Sequence, residues 1–318
     1  MKFAHILTIA GITTLVAAPA WAQTVGIGTT KGGATAQVSN AISKVVSTHS
    51  GLQMRTQVMG GTQKYIPVVN SGELEFGLSN IMQYFMAVDG SGLSEGRKQD
   101  NLRLAATMMT FRTGALVAKN SGINTLADLK GKRVPSGFKG APLFEFFMTA
   151  FLANGGLTWD DVKKVPQIGL RQHWNAFKEG KIDIVIGAVG SGAIKDMNAK
   201  VKGGVKYISL SREPAMAKAT LAHIPKTGFR EVKPAKPFVG ILSPTNIIAF
   251  DYNLWVNKDV SDEIVYKVVK AMYENEAELK ASSPLWRSHS SKTMARDQDL
   301  EYHPGAVKLY KEVGIWKR

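Results

Sequence analysis

What most limits the folds open to this chain is a pair of glycine turns, each set between an apolar run and a helical pattern. The first is GIGTTKGGATA, Gly26 to Ala36. Val25-Gly26-Ile27 reads as a strand end before it. Val38, Ala41, Ile42, Val45 and His49 recur after it at helical spacing, and Gly51 is a fitting stop. The second turn, Gly137 to Gly140, lies between a strand opening at Arg133-Val134 and a helix over Pro142 to Ala153, where Pro142 suits the first turn. Ligands of open α/β sheets bind outside the carboxyl ends of strands, where helix N-termini present partial positive charge. Two such turns in separate lobes predict a ligand held in a cleft between them.

The rest of the chain keeps the alternation of short β-rich runs with amphipathic stretches that marks an α/β protein. Leu52, Met54, Thr56 and Val58 alternate as in a half-buried strand. Gly60-Gly61 breaks that pattern, and Thr62 begins a segment ending at Ser71-Gly72. Pro67 comes late for a helix starting at Thr62, so a later start or a kink is expected. Phe76 to Ser79, Ala115 to Ala118, Ile182 to Ala188 and Ile247 to Trp255 read as strands, and Leu126 to Gly131 as a helical turn. Two helices close the chain, about Asp262 to Ala281, capped by Ser261, and Ala306 to Val313.

The first residues, MKFAHILTIAGITTLVAAPAWAQ, read as a secretory signal peptide spanning 1–22. Lys2 supplies the positive start, Ile6 to Ala18 the apolar core, and Ala20-Trp21-Ala22 the cleavage pattern. No later segment approaches the roughly 18 continuous apolar residues of a membrane span. The chain has no cysteine, which excludes disulfides, thiolate chemistry and a lipidated N-terminal cysteine. An exported chain with no lipid anchor is expected in a periplasm. The net charge is +15, or +14 without Lys2, with the lysines spread along the chain. Such a surface attracts anions or serves solubility. Nucleic acid is not an expected partner.

The chemical readings of the first turn narrow quickly. Gly28 and Gly33 are spaced as in a Walker loop, but Ala34-Thr35 stand where Lys-Ser/Thr belongs. A dinucleotide fingerprint fails because Lys31 occupies the third glycine position. His49, His173, His223, His289 and His303 show no metal-ligand spacing, and no G-x-S-x-G elbow exists. Asp160-Asp161 and Glu276/Glu278 read as solvated faces. No cofactor or catalysis is implied, and an enzyme would need an acid–base set for which His173 and His223 are the tempting members. In PLFEFFMTAF, Phe147 and Phe151 read as core, while Leu143 and Phe144 reach the cleft. Lys31 points to solvent or, if the cleft closes over it, needs an anionic partner.

Together these residues resemble the TAXI family of solute-binding proteins, which serve TRAP-type secondary transporters. The resemblance covers essentially the whole chain after the signal. It is carried by GIGTTKGGATA, VMGGTQKYIPVVNSGELEFGLSN, SGINTLADLKGKRV, LTWDDVKKV, FKEGKIDIVIGAVG, HIPKTGF, DEIVYKVVKAMYENEAEL and HPGAVKLYKEVG. It implies a two-lobed type II periplasmic-binding-protein fold, each lobe a mixed sheet flanked by helices, with a hinge crossed twice. Residues 24–114 plus 246–318 would form lobe 1 and 115–245 lobe 2. It further implies a non-enzymatic, monomeric protein that traps a small organic anion and delivers it to TRAP-type membrane permease subunits driven by an ion gradient. The alternative is a sensor subunit signalling to a membrane kinase.

By position, the resemblance places first-lobe contacts at Thr29, Thr30, Lys31, Gly33, Thr35, Gly60, Gly61, Thr62 and Asn80. Second-lobe contacts would be Gly137, Phe138, Gly140, Leu143, Phe144, Ala188, Val189, Gly190 and Ser191, with His223 and Phe229 around IPKTGF. The chain departs from the family at Ala36-Gln37, where paired tyrosines are common. It departs again at Ala141-Pro142-Leu143-Phe144, where a serine-glycine-threonine turn with a basic residue is usual, and at Met82, where an aspartate is usual. These departures predict a less polar pocket, taking a carboxylate near Thr29 to Thr35 and an apolar or aromatic body near Leu143 and Phe144.

Overall fold

A computed structural model describes residues 22–317. The signal-peptide reading lies outside the described residues, Ala22 excepted. Strand β1 (Thr24–Thr30) leads into helix α1 (Gly33–His49). The apolar stripe Val38, Ile42, Val45 and Val46 of α1 is fully buried. Each such side chain contributes about 1.5–3 kcal/mol by leaving water. Ser50 caps the helix by donating its backbone N–H to Val46, and Gly51 turns the chain at φ +72°. Strand β2 (Gln53–Met59) follows as a sheet edge, with Val58 60% exposed. Helix α2 (Thr62–Asn70) begins at Thr62 and contains Pro67, so of the two expected outcomes, a later start or a kink, the later start does not occur. Pro67 forgoes the bond to the Gln63 carbonyl and its ring crowds that group, but the helix carries on past it, and the Pro67 carbonyl accepts from the Ser71 N–H.

Next come β3 (Phe76–Asn80), α3 (Ile81–Asp89) and the long β4 (Leu102–Ala118). The second glycine turn lies between β5 (Arg133–Ser136) and α4 (Leu143–Asn154), one residue later than its expected start because Pro142 stands at the N-cap. Then follow β6 (Lys163–Pro166), α5 (Leu170–Lys178), β7 (Val185–Ala188), α6 (Gly192–Lys200), β8 (Val205–Tyr207), α7 (Pro214–His223), β9 (Gly228–Val232) and β10 (Thr245–Asn257). The expected long helix from Asp262 breaks at Asn275 (φ −115°, ψ 38°) into α8 (Asp262–Glu274) and α9 (Glu276–Ser282), and α10 (Pro304–Glu312) ends the fold. Ser261 caps α8 as expected.

The main sheet runs β2-β1-β3-β10-β4-β7, with β9 also pairing β10 and β8 also pairing β4; β5 and β6 form a separate parallel pair. β1, β2 and β3 are parallel, whereas β10 is antiparallel to both β3 and β4. β4 and β10 therefore run from the β1–β3 end to the β7–β9 end, and the expected lobe boundaries fall on them. Two register shifts, at Tyr252/Asn253 and Leu254/Trp255, interrupt their ladder, as bulges do where a strand pair bends. No helix among the described residues is long and apolar enough to cross a membrane.

Candidate functional site

The two crossing strands lay an aromatic floor. Alternation along a strand sends Phe111 and Thr113 of β4, and Phe250 and Tyr252 of β10, to one face. That face lines a cleft of about 700 Å³. Phe111 stacks on Phe250 at 5.4 Å and on Tyr252 at 5.0 Å, and Phe147 of α4 meets Phe250 at 5.9 Å. The Tyr252 hydroxyl and Thr35 Oγ1 lie 2.8 Å apart, and burial holds the phenol protonated well above the usual tyrosine range. Phe147, expected as core, is buried yet also lines the cleft.

The glycine turns form opposing walls. A Cβ on Gly33 would lie 2.8 Å from the Trp174 ring, and one on Gly61 would lie 2.9 Å from the Gly140 carbonyl oxygen. Gly33 also sits at φ +82°, a conformation that favours glycine. The two walls are thus close enough to enclose a small molecule.

Helices α1, α2, α4, α5 and α6 all begin on this cleft, and none has a side-chain N-cap hydrogen bond. Their first-turn N–H groups and macrodipoles add positive potential at one place. Lys31, Lys64 and Arg171 stand exposed on the lining, and no ion pair is formed by them among the described residues. The lining holds one carboxylate, Asp196, already engaged by Lys178 at 3.0 Å and Lys200 at 2.7 Å. Hydrogen bonds from those two lysines hold its pKa below the ordinary aspartate value.

Of the residues expected at the site, Thr30, Lys31, Gly33, Thr35, Gly60, Gly61, Thr62, Asn80, Gly140, Leu143, Phe144, Ala188 and Ser191 line this cleft. Ser191 is 2% exposed, and its Oγ has no hydrogen-bond partner. Asn80 is largely spent on α3: its carbonyl oxygen accepts from the Gln83 backbone N–H and its amide donates to the Gln83 side chain, both at 2.8 Å.

Seven expected residues lie elsewhere. Thr29 faces α1, its Oγ1 2.6 Å from Ser39 Oγ. Gly137 turns the chain at φ +82° and donates its N–H to the Glu145 carboxylate at 2.6 Å. That turn drives Phe138 into the core, fully buried beside Phe144 at 5.8 Å and His173 at 5.4 Å. Val189 is buried with its N–H donated to the Arg112 carbonyl, and Gly190 packs toward Pro284 and Phe238. His223 is exposed at the end of α7, and Phe229 lies in β9 opposite Ile248. His173 is wholly buried among Phe138, Phe144 and Trp174. The two histidines an enzyme reading would need therefore do not meet in the cleft. Among the described residues no group of three His, Asp or Glu is placed to hold a metal.

The sequence reading missed the floor, Phe111, Phe250 and Tyr252, and also Gln83 and the wall formed by Ile168 to Lys178. For that wall a signal was present: Gly169 precedes an amphipathic segment carrying Arg171 and Trp174, a third turn of the same kind.

The NMT1-like family is matched over residues 27–314. Among solved structures, the chain is similar to the MatC protein of Rhodopseudomonas palustris with bound malate, at 16% identity, 92% of this chain and 95% of that one, with a TM-score of 0.57. It is also similar to PhnD1 of Prochlorococcus marinus in complex with methylphosphonate, at 11% identity, 92% and 97% coverage, and a TM-score of 0.55. A binding-protein component of an ABC phosphonate transporter from Pseudomonas aeruginosa aligns at 12% identity over 85% and 80% of the chains, with a TM-score of 0.54. At these identities the likeness is one of fold, the two-lobed type II periplasmic-binding-protein fold.

Proposed function

The chain belongs to the NMT1-like family, and we propose that it is a periplasmic solute receptor that captures a small organic anion with an apolar or aromatic body. The observation that carries this reading is the convergence of five uncapped helix N-termini on a cleft whose one lining carboxylate is already neutralised. Such a site favours negative charge without a dedicated counter-ion. The carboxylate would sit between the Thr30 to Thr35 turn, Gly60 to Thr62 and the buried Ser191 hydroxyl. The body would lie on Phe111, Phe250, Leu143 and Phe144. MatC and PhnD1, with malate and methylphosphonate in their structures, hold small anions in the same fold, which supports the class and not the molecule.

The delivery partner in this reading is an ion-gradient-driven TRAP-type permease, resting on the resemblance of the glycine turn, IPKTGF and terminal HPGA stretches to the TAXI proteins. Native mass spectrometry of freshly purified protein tests the ligand class. A released carboxylic acid with an aromatic or branched body is expected, and a glutamate-like ligand would refute the apolar body. Uptake into vesicles carrying the permease is expected to stop when the ion gradient is collapsed. A requirement for ATP would refute the TRAP assignment.

A further inference from the structure

The floor of the cleft has a reverse side, and it carries an arrangement that the cleft does not use. Because β4 alternates, Arg112 faces away from its neighbours Phe111 and Thr113. In β10 it is paired with Ala249, while Arg230 of β9 is paired with Ile247. Ile247 and Ala249 share a face, so both arginines stand on that face, on strands flanking β10 and about 12 Å apart by sheet spacing and stagger. A third arginine joins them from the C-terminal segment. The guanidinium carbons of Arg112 and Arg287 lie 4.7 Å and 5.7 Å from the centroid of one ring, Phe238.

No carboxylate neutralises this set. Among the described residues, Arg112, Arg230 and Arg287 form no ion pair or side-chain hydrogen bond. Asp251, on the same face of β10, is bonded to Arg296. Glu276 is bonded to Lys280, and Glu231 alternates to the other face of β9. Arg112 is only partly exposed, and its burial and the charges of Arg230 and Arg287 both oppose its protonated form. Holding like charges together in a half-buried place is unfavourable unless an anion joins them. Beside them lies a groove of about 360 Å³ lined by Pro237, Lys280, Ala281, Ser283, Pro284 and Arg287.

We propose that Arg112 and Arg287, both over the Phe238 ring, together with Arg230 on the same face, form a second anion site, on the opposite face of the crossing strands from the cleft, for a multiply charged group bearing phosphate or carboxylate oxygens. Guanidinium forks match such oxygens bidentately, and Phe238 holds two of the forks by their faces. The site touches the cleft's wall from behind. A Cβ on Gly190 would lie 3.1 Å from Pro284 and 3.7 Å from Phe238, and the next residue is Ser191.

Calorimetric titration with inorganic pyrophosphate tests the site, with the variants compared so that any pyrophosphate entering the cleft contributes equally to all of them. The wild-type protein is expected to show a pyrophosphate-binding component whose affinity falls at least tenfold in the Arg230→Gln/Arg287→Gln variant, whose positions are exposed. A control with the same charge loss elsewhere, Lys119→Gln/Lys202→Gln, is expected to bind as the wild type does. No binding by the wild type, or equal loss in both variants, would overturn the proposal, the second result meaning diffuse attraction to a basic surface. Repeating the titration with citrate distinguishes carboxylate from phosphate preference.

Discussion

Gly61 and Gly140 face each other across the cleft so closely that a single added carbon on Gly61 would sit 2.9 Å from the Gly140 carbonyl oxygen. The backbone of Gly61, at φ 171°, is extended and suits any residue. The contact and not the conformation therefore demands glycine. Gly61→Ala is expected to leave the unfolding temperature nearly unchanged while holding the walls apart and weakening ligand binding by about tenfold, the cost of losing roughly 1.4 kcal/mol from the enclosed state. Calorimetry with the natural ligand and small-angle scattering check this. Unaltered affinity and an unaltered radius in the presence of ligand would show that the contact does not matter to closure.

Ser191 is the clearest single side chain to test in the cleft. Its Oγ is buried without a partner, so the empty protein gains nothing from it and bears a desolvation cost. Ser191→Ala is expected to melt at the same or a slightly higher temperature. A hydrogen bond to a charged group is worth about 1.5–3 kcal/mol, so affinity for the anion should fall by roughly 10- to 150-fold. A variant that binds as well as the wild type would remove Ser191 from the contact set.

How far the site could be read from the sequence follows from which signals are local. The turns at Gly26 to Ala36, Gly60-Gly61 and Ser191 announce themselves, because glycine before a helical pattern needs no tertiary information. Phe138 misled for a local reason: it follows Gly137, but the left-handed Gly137 and its own φ of 30° turn its ring into the core. Phe111 and Phe250 are not legible locally, because they stand well over a hundred residues apart in sequence and meet only through the register of β4 and β10. The helix that periodicity predicts from Asp262 breaks at Asn275, a residue that ordinary helical spacing passes over.

Lys31 has a more modest expected role. It is exposed on the lining with Lys64 and Arg171, where charge acts chiefly on encounter. Lys31→Ala is expected to fold normally and to bind the anion about three- to tenfold more weakly at low salt, mostly through a slower on-rate. The difference should shrink as ionic strength approaches physiological, where the screening length is about 8 Å. Stopped-flow binding at two salt concentrations checks it, and an on-rate indifferent to both salt and substitution would leave Lys31 a solvated lysine.

His173 predicts how stability should depend on pH. Burial pushes its pKa down from 6.5 to about 3, against a smaller upward pull from the backbone at Leu170, Ile186 and Gly169. Above pH 6.5 the ring is neutral in both folded and unfolded chains, so stability is full. Between 6.5 and 3 the unfolded chain takes up a proton that the folded chain refuses, and stability falls by about 1.4 kcal/mol per pH unit; below 3 both are protonated and the loss levels off. His289 and His303, also depressed by burial, act in the same direction. His173→Phe puts an apolar ring among Phe138, Phe144 and Trp174 and deletes one of these three protonations. Denaturant unfolding from pH 7.5 to 4 should therefore give the variant a shallower acid limb than the wild type. Parallel curves would mean that the buried imidazole is already charged or reaches solvent as the fold breathes.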